Sequence, residues 1–210
     1  MANAAKNPNG ERDALIDAVA AETVARGYGQ LSIERIAARA DLPASSFTAS
    51  FSDLRAAVIV SHQVLFERYF RRLGRACEAQ STWPLKVKVG IGMTLDLAAA
   101  SPTRARFLIE EPAAVDPVLA REAMECQDRL ARLLAPGRVE AETGADLPGI
   151  TEHVLVAGIA GVISGRLIKG EAQHLPALAP ELVELTLSPY LGAEAAAAVA
   201  RRPPPQISEL

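Results

Sequence analysis

The chain has 210 residues, half of them apolar and 22% charged, with a formal net charge of −3. This composition excludes a disordered polyelectrolyte, and the length allows one medium domain or two small ones with a real core. A mildly acidic chain has no global field drawing it onto nucleic acid, so any DNA binding must come from local geometry.

The start, "MANAAKNPNGERDALIDAV", has charges where a secretory signal needs an apolar run. Cys77 and Cys126 lie far apart with no histidine at ligand spacing, which predicts two buried thiols in a reducing cytoplasm. Apolar residues then recur at intervals of three and four along the whole chain, with no alternating strand pattern, so the expected class is all-α. A first helix is predicted from Glu11 to Arg26, with Leu15, Ile16, Val19 and Thr23 on one face and Gly27 as its stop. Ser32 is placed to cap a short second helix, "IERIAARA". Asp41 then marks a turn, and Pro43 opens a third helix where its missing N–H costs nothing. Ser52 is expected to cap a fourth helix, Asp53 to Glu78.

Beyond it, Pro and Gly separate further helical stretches. They are "PLKVKVGIGMTLDLAAA", "PTRARFLIEE", "PVLAREAMECQDRLARLLA", "PGITEHVLVAGIAGVISGRLIKG", "APELVELTLSPYL" and "AEAAAAVARR". "PGRVEAETGADLPG" is the longest punctuated gap, and "RRPPPQISEL" reads as a loose tail. "VLVAGIAGVISG" stops at Arg166, too short for a span of about 20 apolar residues, and so is expected to be a buried helix and not a membrane segment.

The segment Ile36–Phe51 has the mechanics of a helix-turn-helix. Ile36 and Ala40 face a core, small Ala37 lets a second helix approach, Asp41 tolerates a positive φ at the turn, and Leu42 and Phe47 plug the angle. The second helix is then free to enter a major groove.

On these residues the stretch "RDALIDAVAAETVARGYGQLSIERIAARADLPASSFTASFSDLRAAV" resembles the TetR family of transcriptional regulators. The matching positions include Arg12, Leu15, Ala18, Gly27, Tyr28, Ser32, Ile36, Ala37, Ala40 and Phe51. The resemblance implies a three-helix head at residues 10–60, a long helix joining it to a C-terminal helical ligand-binding and dimerisation body at 61–201, and a tail at 202–210. It implies a homodimer on a near-palindromic double-stranded DNA operator, no cofactor, no catalysis and no membrane. DNA contacts are expected from Ser32, Arg39, Ala44, Ser45, Ser46, Thr48, Ser50 and Arg55. Met93, Leu97, Phe107, Leu108, Met124 and Gln127 are the expected lining for a small apolar or amphipathic ligand. "VLVAGIAGVISGRLIKG" resembles the dimerisation helix, so Ala157, Gly158, Gly161 and Gly165, with Leu182 and Leu185, are the expected dimer seam.

The sequence also departs from the family's pattern. Asp41 replaces a common Gly, and Pro43 a common Ser. Thr48 stands where a phosphate-contacting Tyr is common, Ser50 where His or Tyr is, and Leu54 where a Lys lies against the DNA backbone. Each lost phosphate contact flattens the salt dependence of binding, although Ser and Thr hydroxyls and the Thr methyl still suit base edges. In residues 1–60 six basic side chains face seven acidic ones, a net of −1. Arg68, Arg71, Arg72 and Arg75 share a helix face, but Arg68 lies about 21 Å along the helix from Leu54, so this stripe is expected to be a solvated face or packing surface.

Gly158, Gly161 and Gly165 lack the preceding strand of a dinucleotide loop. His62, His153 and His174 share no metal-ligand spacing, and Cys126, Asp128 and His153 have no sequence reason to meet as a nucleophile arrangement. Glu110-Glu111 reads as a helix end. Two functions follow from the sequence: a ligand-responsive, dimeric repressor, or a TetR-like protein whose head has ceased to bind DNA and which acts through ligand or protein binding.

Overall fold

The computed structural model describes residues 8–110, 117–141 and 144–203. Most of the tail and Glu111 lie outside them. Every regular element among the described residues is helical. They fall into two compact units, one holding residues 8–67 with 103–110 and 117–123, the other 68–102 with 124–141 and 144–203. The first unit's core joins 103–110 and 117–123 to the N-terminal helices. Phe107 and Leu119, each 1% exposed, pack with Leu15, Ile16, Val19, Ile36, Phe47, Phe51 and Val58. Arg104 adds a two-bond pair to Asp17, at 2.8 and 2.7 Å.

In the first unit, α1 (Pro8–Arg26) ends where Gly27 takes a φ of 76°. α2 (Ile33–Arg39) starts at Ser32, whose hydroxyl accepts the Arg35 N–H at 3.3 Å, as the sequence led us to expect. α2 closes with the Leu42 N–H on the Ala37 carbonyl and the Asp41 N–H on the Ala38 carbonyl. That pair of hydrogen bonds requires a left-handed residue, and Asp41 supplies it at φ 55°. α3 (Ala44–Ser50) follows, with Pro43 as its extended N-cap, one position before the helical turn assigned to it from the sequence. α4 (Leu54–Glu78) is capped differently from expectation. The Asp53 carboxylate accepts the Ala56 N–H at 2.7 Å, and Ser52 only donates to Asp53. A charged acceptor makes the stronger cap. α6 (Pro102–Ile109) and the start of α7 (Pro117–Leu134) complete the unit.

The second unit is built on α5 (Trp83–Ala100), whose Val87, Val89, Ile91 and Leu95 are buried. α9 (Ala179–Leu191) contributes Leu182, Val183, Leu187 and Tyr190. α10 (Ala193–Arg201) contributes Ala196, Ala197 and Ala200. Lys88 caps the end of α10 by donating to the carbonyls of Val199 and Ala200, both at 2.9 Å, and of Arg202.

The segment that reads as a long punctuated loop is organised by a buried carboxylate. Arg138, in the helical turn Gly137–Glu140, donates to both oxygens of Glu152 at 2.7 and 2.8 Å and to the carbonyls of Leu147 and Pro148. The Tyr190 hydroxyl donates to Glu152 at 3.0 Å. Burial pushes the Glu152 carboxyl up, but the Arg138 and Tyr190 hydrogen bonds outweigh it and hold it below the usual range. Trp83 stacks edge-on against Tyr190, and a Cβ at Gly137 would lie 2.4 Å from the Trp83 ring.

α8 (Thr151–Ile168) corrects the expectation of a buried helix. Among the described residues it alone is long and apolar enough to cross a membrane by length and composition, with a mean hydropathy of 1.3, yet only 17% of it is buried in the chain. Its buried side chains, Glu152, Val156, Ile163 and Leu167, form one narrow stripe, and Val154, Ala157, Gly158, Gly161, Val162 and Ile168 are exposed. Cys77 and Cys126 form no disulfide and are half-buried, not fully buried as expected.

Candidate nucleic-acid interface and effector region

α3 owes its position to two aromatic side chains. Phe47 is fully buried and Phe51 is 5% exposed, their ring centroids 5.3 Å apart, so the helix is pinned by one face. The other face presents Ala44, Ser45, Thr48 and Ala49 to solvent. Of the residues expected to touch DNA, Ala44, Ser45 and Thr48 lie together there, with Ser50 half-buried at the end. Thr48 donates its hydroxyl back to the Ser45 carbonyl at 3.1 Å, leaving its methyl and the oxygen lone pairs outward. Ser46 is placed differently: it is 6% exposed and donates to Glu11 of α1 at 3.2 Å, so it fixes α3 to α1 and does not face a groove. Ser32 is engaged as a helix cap, and Arg55 is exposed in the first turn of α4.

Arg39 belongs to a cluster that the linear sequence did not reveal. Glu22 of α1 is 3% exposed. Its carboxylate accepts from Arg39 Nε at 2.7 Å and Arg26 Nε at 3.2 Å, with Arg35 Nε 3.8 Å away. The Arg39 hydrogen bond holds the Glu22 carboxyl below its ordinary range despite its burial. Only the Arg26 pair, at i,i+4 on one helix, is legible from spacing.

The residues expected to line a ligand site are divided between the units. Phe107 and Leu108 belong to the first, where Phe107 sits in the core with its ring centroid 6.0 Å from that of His62. His62 is 1% exposed and neither ring nitrogen makes a well-formed hydrogen bond. Burial pushes its pKa down, against the opposing pull of the Leu108 backbone and the Glu122 carboxylate. Met93 and Leu97 are half-buried on α5, while Met124, 67% exposed, and Gln127 face solvent on α7. Beside Met93, the Tyr69 hydroxyl meets the Thr94 hydroxyl at 3.0 Å, and burial raises the Tyr69 pKa to about 12.

In the expected dimer seam, Ala157, Gly158 and Gly161 are exposed and Gly165 is half-exposed. On α9, Leu185 is 62% exposed, whereas Leu182 is buried at 5% within the chain's own core.

No family model matches the chain, and no curated protein matches it in sequence. Solved structures do match it. The fatty acid degradation regulator FadR from Bacillus halodurans is 19% identical, with a TM-score of 0.76 over 84% of this chain and 94% of that one. FadR from Bacillus subtilis, solved in complex with stearoyl-CoA, is 19% identical, with a TM-score of 0.68 over 84% of this chain and 98% of that one. A TetR-family regulator from Bordetella parapertussis is also 19% identical, with a TM-score of 0.68 over 84% and 93%. This chain has the TetR-family fold. In this chain α2 and α3, joined through the Asp41 turn, have the helix-turn-helix geometry.

Proposed function

We propose that the protein is a dimeric, ligand-responsive transcriptional repressor of the TetR type. The observation that carries this reading is the preformed helix-turn-helix. α3 is pinned by Phe47 and Phe51, its turn is locked by Asp41, and a face of short polar and methyl groups is open to a major groove. Two such heads on a two-fold axis would address half-sites about one helical turn of DNA, or 34–36 Å, apart.

The exposed face of α8 supports the dimer. Val154, Gly158, Gly161, Gly165 and Ile168 recur at alternating intervals of four and three, the spacing of a helix-pairing seam. A Cβ at Gly158, Gly161 or Gly165 would meet nothing within 4 Å, so packing inside the chain does not require these glycines. Each costs helix stability of about 0.8–1 kcal/mol relative to Ala, which close approach by a second backbone would offset. Leu185 on α9 is a further exposed apolar side chain, 62% exposed.

The ligand proposed is apolar or amphipathic, taken up in the helical body near Met93 and Leu97 on α5, with the Tyr69–Thr94 hydroxyl pair as its polar contact. A neighbour of the same fold crystallised with stearoyl-CoA supports that ligand class. A ligand favouring a conformer whose heads no longer match the operator would release DNA, with a coupling of about 1–3 kcal/mol. The test is an anisotropy titration of the full chain against duplex from its own upstream region. Saturable binding at low salt supports the repressor; its absence favours a head that no longer binds DNA.

A further inference from the structure

We propose that Arg26, Arg35 and Arg39, gathered on the buried carboxylate of Glu22, form a phosphate-binding site that grips the DNA backbone. The inference rests on the DNA-binding reading above and supplies the grip that Thr48 and Leu54 lack. Three guanidinium groups share one carboxylate, so two positive charges are left uncompensated. Glu34, on α2 beside Arg35, pairs with none of them. The three side chains are 51%, 45% and 46% exposed, while the carboxylate beneath them is 4% exposed. The cluster therefore turns its charge outward.

Each guanidinium carries five N–H donors in a planar fork, and Glu22 has only two oxygens to accept them. Donors remain for an oxyanion, and bidentate recognition of phosphate suits that fork. Glu22 holds the Arg39 and Arg26 forks in place, and Arg35 is tied back through its Nη2 to the Gln30 carbonyl. Side chains already ordered by the fold lose little freedom on binding. Two of the three belong to α2, the helix that lies across the phosphate backbone when its successor enters the major groove.

The decisive variant is Arg26→Gln with Arg35→Gln, because it leaves Arg39 to neutralise Glu22. Affinity of the full chain for an upstream duplex, and for an unrelated duplex of equal length, is measured by anisotropy across a salt series. Each lost phosphate contact should flatten the slope of log K against log salt by about 0.9, so four contacts in a dimer should remove about 3.6. The loss should be the same on both duplexes, and Arg26→Lys with Arg35→Lys should retain most of the slope. An unchanged slope in a Gln variant with wild-type melting overturns the DNA contact.

Inorganic phosphate is the second probe, followed through the arginine Nε–H resonances of the wild-type chain against chloride at equal ionic strength. Shifts confined to Arg26, Arg35 and Arg39 support the site, and none overturns it. If those resonances shift but the wild-type chain binds no duplex, the site takes free phosphate, and the repressor reading fails with the DNA half of this proposal.

Discussion

Replacing Gly161 of α8 with Leu should have opposite effects on the monomer and the dimer. Within one chain a Cβ at this exposed position meets nothing within 4 Å. Leu is also a better helix former than Gly by about 0.8 kcal/mol, so the isolated chain should be unharmed or slightly stabilised. At a two-fold seam the same substitution enters twice. Forcing a side chain into a packed contact costs about 1–3 kcal/mol, so the pair should cost about 2–6 kcal/mol. At 1.4 kcal/mol per tenfold, the dimer Kd should rise by roughly 30-fold to 10⁴-fold. Sedimentation velocity over a dilution series measures the Kd, and a far-UV melt below the Kd measures the monomer. A dimer Kd within about threefold of wild type would refute the assignment of α8 as the seam. A fall in monomer stability would refute the claim that these glycines are idle inside the chain.

Gly137→Ala should lower Tm by about 2–12 °C, since its Cβ would overlap the buried Trp83 and Tyr190 rings, whereas Gly92→Ala in α5, with nothing within 4 Å, should raise it slightly. The depressed pKa of buried His62 means that the folded chain resists a proton the unfolded chain takes up near pH 6.5. Its contribution is therefore complete above that pH and is lost as pH falls from there toward the folded pKa. Urea midpoints of wild type and His62→Leu at about pH 7.5 and 5.5 should show a smaller acid loss in the variant, and equal losses would contradict the assignment. Leu54→Lys adds a cation at the start of α4, and should steepen the salt slope of DNA binding by about 0.9 per chain; an unchanged slope would place that helix end away from the backbone.

The helix-turn-helix was legible because its determinants are local. Ser32 caps α2, Asp41 takes the positive φ, and Phe47 and Phe51 point inward as the spacing of apolar residues demands. Local signals misled at two caps: Pro43 precedes α3 instead of opening it, and at Ser52 and Asp53 the carboxylate captured the helix N–H. Pairings that depend on chain topology stayed hidden. Arg39 meets Glu22 across 17 residues, Ser46 meets Glu11 across 35, and Tyr190 meets Glu152 across 38. The exposure of α8 was not legible in its apolar pattern, and only the resemblance to a dimerisation helix pointed to it. Its composition is that of a buried helix, and apolar periodicity cannot tell burial in one's own core from burial against a second chain.

The central claim is that two of these heads hold one operator. A titration of the full chain, at concentrations well above Kd, into labelled duplex from its upstream region tests this most directly. Saturation is expected at an even number of chains per duplex, and a second titration near Kd should show affinity falling steeply as salt is raised. No saturable binding at low salt, or saturation by a single chain, would contradict it.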